Sequence, residues 1–99
     1  MLAEWLDRHM AKAPEVLGER ARGYVAAVPV PMPHAMALAS AATAALDEVA
    51  RQPEGRGAAL DLLAADALVT LALLAQAEAD PSQLRAFATR LLHAELARA

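Results

Sequence analysis

The sequence predicts an all-α protein, a compact bundle of four or five helices with a proline-rich extended connector at about residues 28–33. Three observations lead there. Apolar residues recur at helical spacing through most of the chain, no segment alternates apolar and polar as a half-buried strand would, and clusters of Pro and Gly cut the chain into pieces of helix length. Its 99 residues fit one helical domain, 1–99.

In the first helix Leu2, Trp5, Leu6, Met10 and Ala13 fall on one stripe, while Glu4, Asp7, Arg8 and Lys12 sit away from it. Pro14 suits a helix start but not an interior, so a break is expected at Ala13–Pro14. A second helix follows from Pro14 to about Val28, with Leu17, Ala21, Tyr24, Val25 and Val28 inward. Gly18 and Gly23 lie off that stripe, and each weakens a helix by about 1 kcal/mol.

Pro29, Pro31 and Pro33 alternate with Val30 and Met32. No helix accommodates that pattern, and the residue before each proline is pushed to extended geometry. The reading is a rigid connector; a groove-lining or peptide-docking role for Val30 and Met32 is the functional alternative. The third helix runs from about His34 to Arg51, with Leu38, Ala42, Ala45, Leu46 and Val49 inward. Ala37, Ala41, Ala44 and Ala45 would let another backbone come close. Residues 52–57, Gln-Pro-Glu-Gly-Arg-Gly, form a turn by composition.

The fourth helix spans about Ala58 to Ala79. Leu60, Leu63, Ala64, Ala67, Leu71, Leu74 and Ala75 follow the helical period and predict its core stripe. Another side carries Leu62, Asp66, Val69, Thr70, Leu73 and Ala77, so the helix is apolar nearly all round and expected to be buried on more than one side. Asp80-Pro81-Ser82-Gln83 then reads as a helix start, with Asp80 as the cap. The fifth helix continues to about Arg98, with Leu84, Phe87, Ala88, Leu91, Leu92 and Leu96 apolar.

Composition excludes several functions. Hydrophobic residues make up 58 % of the chain, but 28 of them are Ala and only Trp5, Tyr24 and Phe87 are aromatic. Nine Lys and Arg against twelve Asp and Glu give a net charge of −3, with no basic footprint for nucleic acid. Without cysteine there is no disulfide, thiolate metal site or Cys nucleophile. Glu4, Asp7 and Arg8 speak against a secretory leader, making the cytoplasm the expected location. No membrane span is expected, because a window of about 20 residues through the fourth helix takes in both Asp61 and Asp66. Ile and Asn are absent and Lys occurs once, a bias that fits a GC-rich bacterial genome.

Residues able to carry chemistry are few. Asp66 lies in the apolar part of the fourth helix, where an ionised carboxylate is costly unless paired or wetted. A buried acid there could serve as a base or touch a ligand, whereas an Asp at a solvent rim or in an interface pair needs no such role. Asp61, nearer the helix start, is favoured by the helix dipole and calls for no function. His34 opens the third helix and, with Asp66, is a candidate to add polarity to a ligand pocket. His9, His34 and His93 fall into no metal-ligand spacing, and no phosphate loop or nucleophile elbow is present. Neither a metal nor a cofactor is expected.

The expected function is therefore a non-catalytic protein–protein interaction or scaffolding module. A monomer of this size has difficulty wrapping both sides of a 20-residue helix, so a homodimer is expected. Its contact would be Leu62, Asp66, Val69, Thr70 and Leu73. A small apolar-ligand binder using His34 or Asp66 is the alternative, and an enzyme pairing Asp66 with a histidine a third.

Overall fold

The computed structural model describes the backbone of residues 1–98 and the side-chain surroundings of residues 1–94. Five α-helices follow one another: α1 (Leu2–His9), α2 (Glu15–Ala26), α3 (His34–Arg51), α4 (Arg56–Ala79) and α5 (Leu84–Arg98), the last entered through a 3-10 turn at Pro81–Gln83. No strand occurs among the described residues. The all-α bundle expected from the sequence is what forms.

Boundaries follow local chemistry. Pro14 and Pro33 stand just outside the N-termini of α2 and α3, where a missing N–H is harmless. Residues 29–33, the proline segment, are non-helical and join α2 to α3. Gly55 precedes α4 with φ +154°, a conformation L side chains rarely adopt, and this allows the short reversal between α3 and α4. Asp80 caps as expected: its Oδ1 accepts from the Ser82 backbone N–H at 3.1 Å and from the Ser82 hydroxyl at 2.6 Å.

The centre of the molecule is the α3–α4 hairpin, with α2 packed across both helices, α5 against α4, and α1 resting on α2. Its seam is small: Ala37, Ala41, Ala42 and Ala45 on α3 are buried, as are Ala64, Ala65, Ala72 and Ala75 on α4. Side chains this short let two helical backbones come close along their length. The close approach expected of the third helix's alanines is thus made within the chain, although Ala44 itself is exposed. Larger groups fill around the seam. Trp5, Leu6 and Met10 from α1, Leu38, Leu68, Leu71 and Phe87 complete one continuous core. The radius of gyration, 13.0 Å, is that of a compact chain of about 100 residues.

The stripes expected on the first, second and third helices are the ones turned inward. Gly18 is the exception, because it is buried; a Cβ there would meet the Arg22 guanidinium at 3.2 Å. On α5 Phe87 is buried, while Leu92 is 58 % exposed. Leu96 lies outside the residues with described side chains.

α4 departs most from expectation. Its buried face is Asp61, Ala64, Ala65, Leu68, Leu71, Ala72 and Ala75. Leu63 and Leu74, placed in the core by periodicity, are 56 % and 38 % exposed. At 3.6 residues per turn, the true core face is rotated by about a quarter turn from the predicted one. The reason is physical. Leucine and alanine surround this helix, so hydrophobicity has no phase, and the face that docks is the one whose small residues fit the α3 seam.

Candidate functional site

Two features of α4 stand out once its orientation is known: the polar cluster at its N-terminal end and the apolar face it leaves open.

The cluster centres on Asp61, whose side chain is fully buried. One turn into α4, it points at α2 and at the α3–α4 turn. Arg20 Nη1 donates to Asp61 Oδ1 at 2.7 Å, and the Tyr24 hydroxyl donates to the same oxygen at 2.8 Å. Gln52 Nε2 donates to Oδ2. Arg20 and Tyr24 sit four residues apart on one face of α2 and so reach one carboxylate together. The Gln52 side chain lies over Gly57, where an added Cβ would stand 3.1 Å from its Oε1. Asp61 was expected to be favoured by the helix dipole and to call for no function; its carboxylate accepts three side-chain hydrogen bonds.

Electrostatics follow from that geometry. Burial alone would raise the Asp61 carboxyl, but hydrogen bonds from Gln52, Tyr24 and Arg20, with the Arg20 charge, hold it below the ordinary carboxylate range. Burial, together with the neighbouring Asp61 carboxylate, pushes the Tyr24 phenol up to about 12. A carboxylate that keeps its charge and a phenol that keeps its proton do not exchange protons near neutrality. This cluster ties α2, the α3–α4 turn and α4 together.

The open face carries the residues the sequence singled out. Leu62 is 51 % exposed, Asp66 and Thr70 are exposed, and Val69 and Leu73 are half-buried at the edge of the core. Asp66 therefore stands in solvent and not in the apolar interior. It shares a shallow groove with Leu46, Leu62, Ala65 and Val69. The Thr70 hydroxyl turns back along the helix to donate to the Asp66 carbonyl oxygen at 3.0 Å. Leu63 and Leu74 belong to this face too, which sequence reasoning missed by assigning both to the core.

His34 is elsewhere. It lines a groove with Trp5, Pro33, Ala75 and Glu78, at the end of the hairpin where α3 begins and α4 ends. The Trp5 indole N–H donates to Glu78 Oε1 at 3.0 Å, His9 stacks on the indole at 3.9 Å between ring centroids, and His34 lies tilted at 6.2 Å. His9 Nδ1 donates to the Trp5 carbonyl at 2.8 Å. His34 and the Leu46 neighbour of Asp66 are twelve positions apart on α3, about 18 Å of helix. The two candidate ligand residues are not brought together. Among the described residues, no three His, Cys, Asp or Glu side chains are grouped to hold a metal ion.

By length and composition α4 is also able to cross a membrane, having an 18-residue window with a mean hydropathy of 2.0. A third of that window, 33 %, is buried inside the bundle, and α4 packs against α2, α3 and α5 while holding the Asp61 cluster. Against protein-family models, curated proteins and solved structures alike, the chain finds no match.

Proposed function

We propose that this chain is a non-catalytic helical interaction module that assembles with a second copy of itself through the outer face of α4. The observation behind this reading is the run of exposed leucine on one helix. Leu62, Leu63 and Leu74 are each more than a third exposed, with half-buried Val69 and Leu73 beside them. Single exposed apolar residues are ordinary, whereas a stripe extending over three turns marks a contact surface. Asp66 and Thr70 give that stripe a polar centre, as an interface that must avoid indiscriminate association requires.

A charge placed on the stripe tests the reading. Leu63→Asp alters an exposed side chain and is expected to leave helicity intact. Light scattering at micromolar concentration should then report a dimer for the wild type and a monomer for the variant. An unchanged mass for Leu63→Asp would count against the α4 face.

A second reading has its own observation. α3 and α5 enclose a groove lined by Met36, Ala39, Phe87 and Leu91, with Ser40 and Arg90 also in its wall. That is a setting for a small apolar ligand bearing an acidic group. Native mass spectrometry showing a co-purified organic acid, lost in Phe87→Ala, would favour it.

A further inference from the structure

The outer face of α4 is close to palindromic. Leu62 and Leu63 occupy one end of it and Leu73 and Leu74 the other, with Asp66 and Thr70 between them. Both leucine pairs and both polar residues are centred on position 68. Beyond the leucines the pattern continues, with Ala59 at one end and Ala77 at the other, again centred on 68. Leu68 itself is fully buried on the opposite side, so the centre of symmetry falls on the exposed surface behind it.

A pattern of this kind fits its own reverse. When two helices pack antiparallel about a two-fold axis, a residue some distance before the axis meets one the same distance after it on the partner. We infer that two copies of this chain pair through antiparallel α4 helices, with the two-fold axis passing at the level of Leu68. Leu62 and Leu63 of each copy then meet Leu73 and Leu74 of the other. Eleven residues are about three turns, so Leu63 and Leu74 share one edge of the face and Leu62 and Leu73 the other. Asp66 of each copy lies beside Thr70 of the other and not opposite its own equivalent. The small Ala59 and Ala77 meet at both ends and let the helices cross closely.

The reverse symmetry of this face about position 68 is what selects a second copy as the occupant. In a parallel arrangement Asp66 would face Asp66, like charge on like within an apolar contact, and each leucine pair would meet its own equivalent. The antiparallel register staggers the two Asp66 carboxylates by about 6 Å along the helix, sets each beside Thr70 of the other copy, and leaves no leucine opposite a charge. This inference rests on the proposed self-association and adds its orientation and register.

The absence of cysteine from the chain makes a direct test available. Leu63→Cys and Leu74→Cys are prepared separately, one with a mass tag, and oxidised alone and as an equal mixture. In the antiparallel dimer the thiols of two Leu63→Cys chains are about 15 Å apart along the helix, and those of two Leu74→Cys chains about 18 Å. A disulfide requires Cα atoms within about 7 Å. Each variant alone should therefore stay uncross-linked, and the mixture should give a mixed disulfide approaching the statistical heterodimer fraction. Leu62→Cys with Leu73→Cys provides a second pair should the first disturb folding.

Cross-linking of each variant with itself would overturn the antiparallel orientation while leaving the α4 contact standing. A wild-type dimer in which neither mixture cross-links would overturn the register. A wild-type monomer at every concentration would overturn the self-association beneath both.

Discussion

The Tyr24 hydroxyl sits 2.8 Å from Asp61 Oδ1, joining α2 to α4 across 37 positions of sequence. Arg20 reaches the same oxygen and Gln52 takes the other, so this one carboxylate gathers three segments of chain. A fully buried charge is tolerated because every partner is in place. Removing one partner, or the charge itself, leaves the rest unsatisfied.

Asp61→Ala is accordingly expected to cost about 2–4 kcal/mol. In a domain of this size that corresponds to a fall in melting temperature of at least about 8 °C. Thermal unfolding followed by circular dichroism measures it. A change of a degree or two would show that the cluster is solvated and contributes little.

The same carboxylate sets an acid limit. Its folded value is depressed, so the unfolded chain takes up a proton first as the pH falls. The stabilisation is complete above the ordinary carboxylate value of about 3.9 and is lost as the pH falls through the lower folded value. Wild-type stability should therefore drop steeply below about pH 4, and Asp61→Asn should show a shallower dependence there. Denaturant titrations at several pH values compare the two slopes. Parallel slopes would contradict the assignment.

Tyr24 sets the matching alkaline limit, and it is the sole tyrosine. Its folded value, about 12, exceeds the ordinary value of about 10. The stabilisation is present below pH of about 10 and lost as the pH rises toward 12, because the unfolded chain ionises first. Phenolate absorbance should appear near 12 or together with loss of helix. Ionisation near 10 with helicity intact would remove Tyr24 from the cluster.

The alanine seam makes its own prediction. Ala72 is wholly buried where α4 meets the core, so in a close-packed interior a longer side chain there is expected to displace its neighbours. Ala72→Leu should destabilise by about 1–3 kcal/mol despite leucine's good helix propensity. The exposed Ala44→Leu on α3 serves as its control and should change stability by less than about 0.5 kcal/mol. Equal effects at both positions would mean that the seam does not constrain size.

How much of this was legible in the sequence depends on contrast around each helix. On α1 the charged residues Glu4, Asp7 and Arg8 stand opposite Trp5 and Leu6, so the buried face is unambiguous. Proline marks the starts of α2 and α3, and Asp80 announces its own cap. α4 offers no such contrast, because leucine occurs on every side. Docking is decided there by the size complementarity of Ala64, Ala65 and Ala72 with the alanines of α3, a property of the pair and not of either helix. Asp61 escaped for a related reason. A carboxylate in the first turns of a helix is stable on its own terms, and its partners Arg20, Tyr24 and Gln52 lie 41, 37 and 9 positions away. One signal was present: Asp61 keeps helical register with Ala64, Leu68, Ala72 and Ala75, the small-residue face.

Asp66 is exposed, so on the proposed self-association it is expected to bear on affinity and not on folding. Two antiparallel copies bring both Asp66 carboxylates within about 6 Å along the helix axis. Their mutual repulsion weakens association, so Asp66→Asn should tighten the dimer about fivefold to tenfold, or roughly 1–1.4 kcal/mol. The effect should shrink with added salt. Fluorescence anisotropy of a labelled chain measures both. Weaker association of Asp66→Asn would show that the Thr70 opposite each carboxylate outweighs the repulsion between the two.

The claim on which the functional account depends is that α4's outer leucines are covered by a second chain. Sedimentation equilibrium of the wild-type protein from low micromolar to several hundred micromolar addresses it most directly. The expected result is a mass rising from one chain to two and levelling there. A mass of one chain across the whole range would leave Leu62, Leu63 and Leu74 facing water and would contradict it.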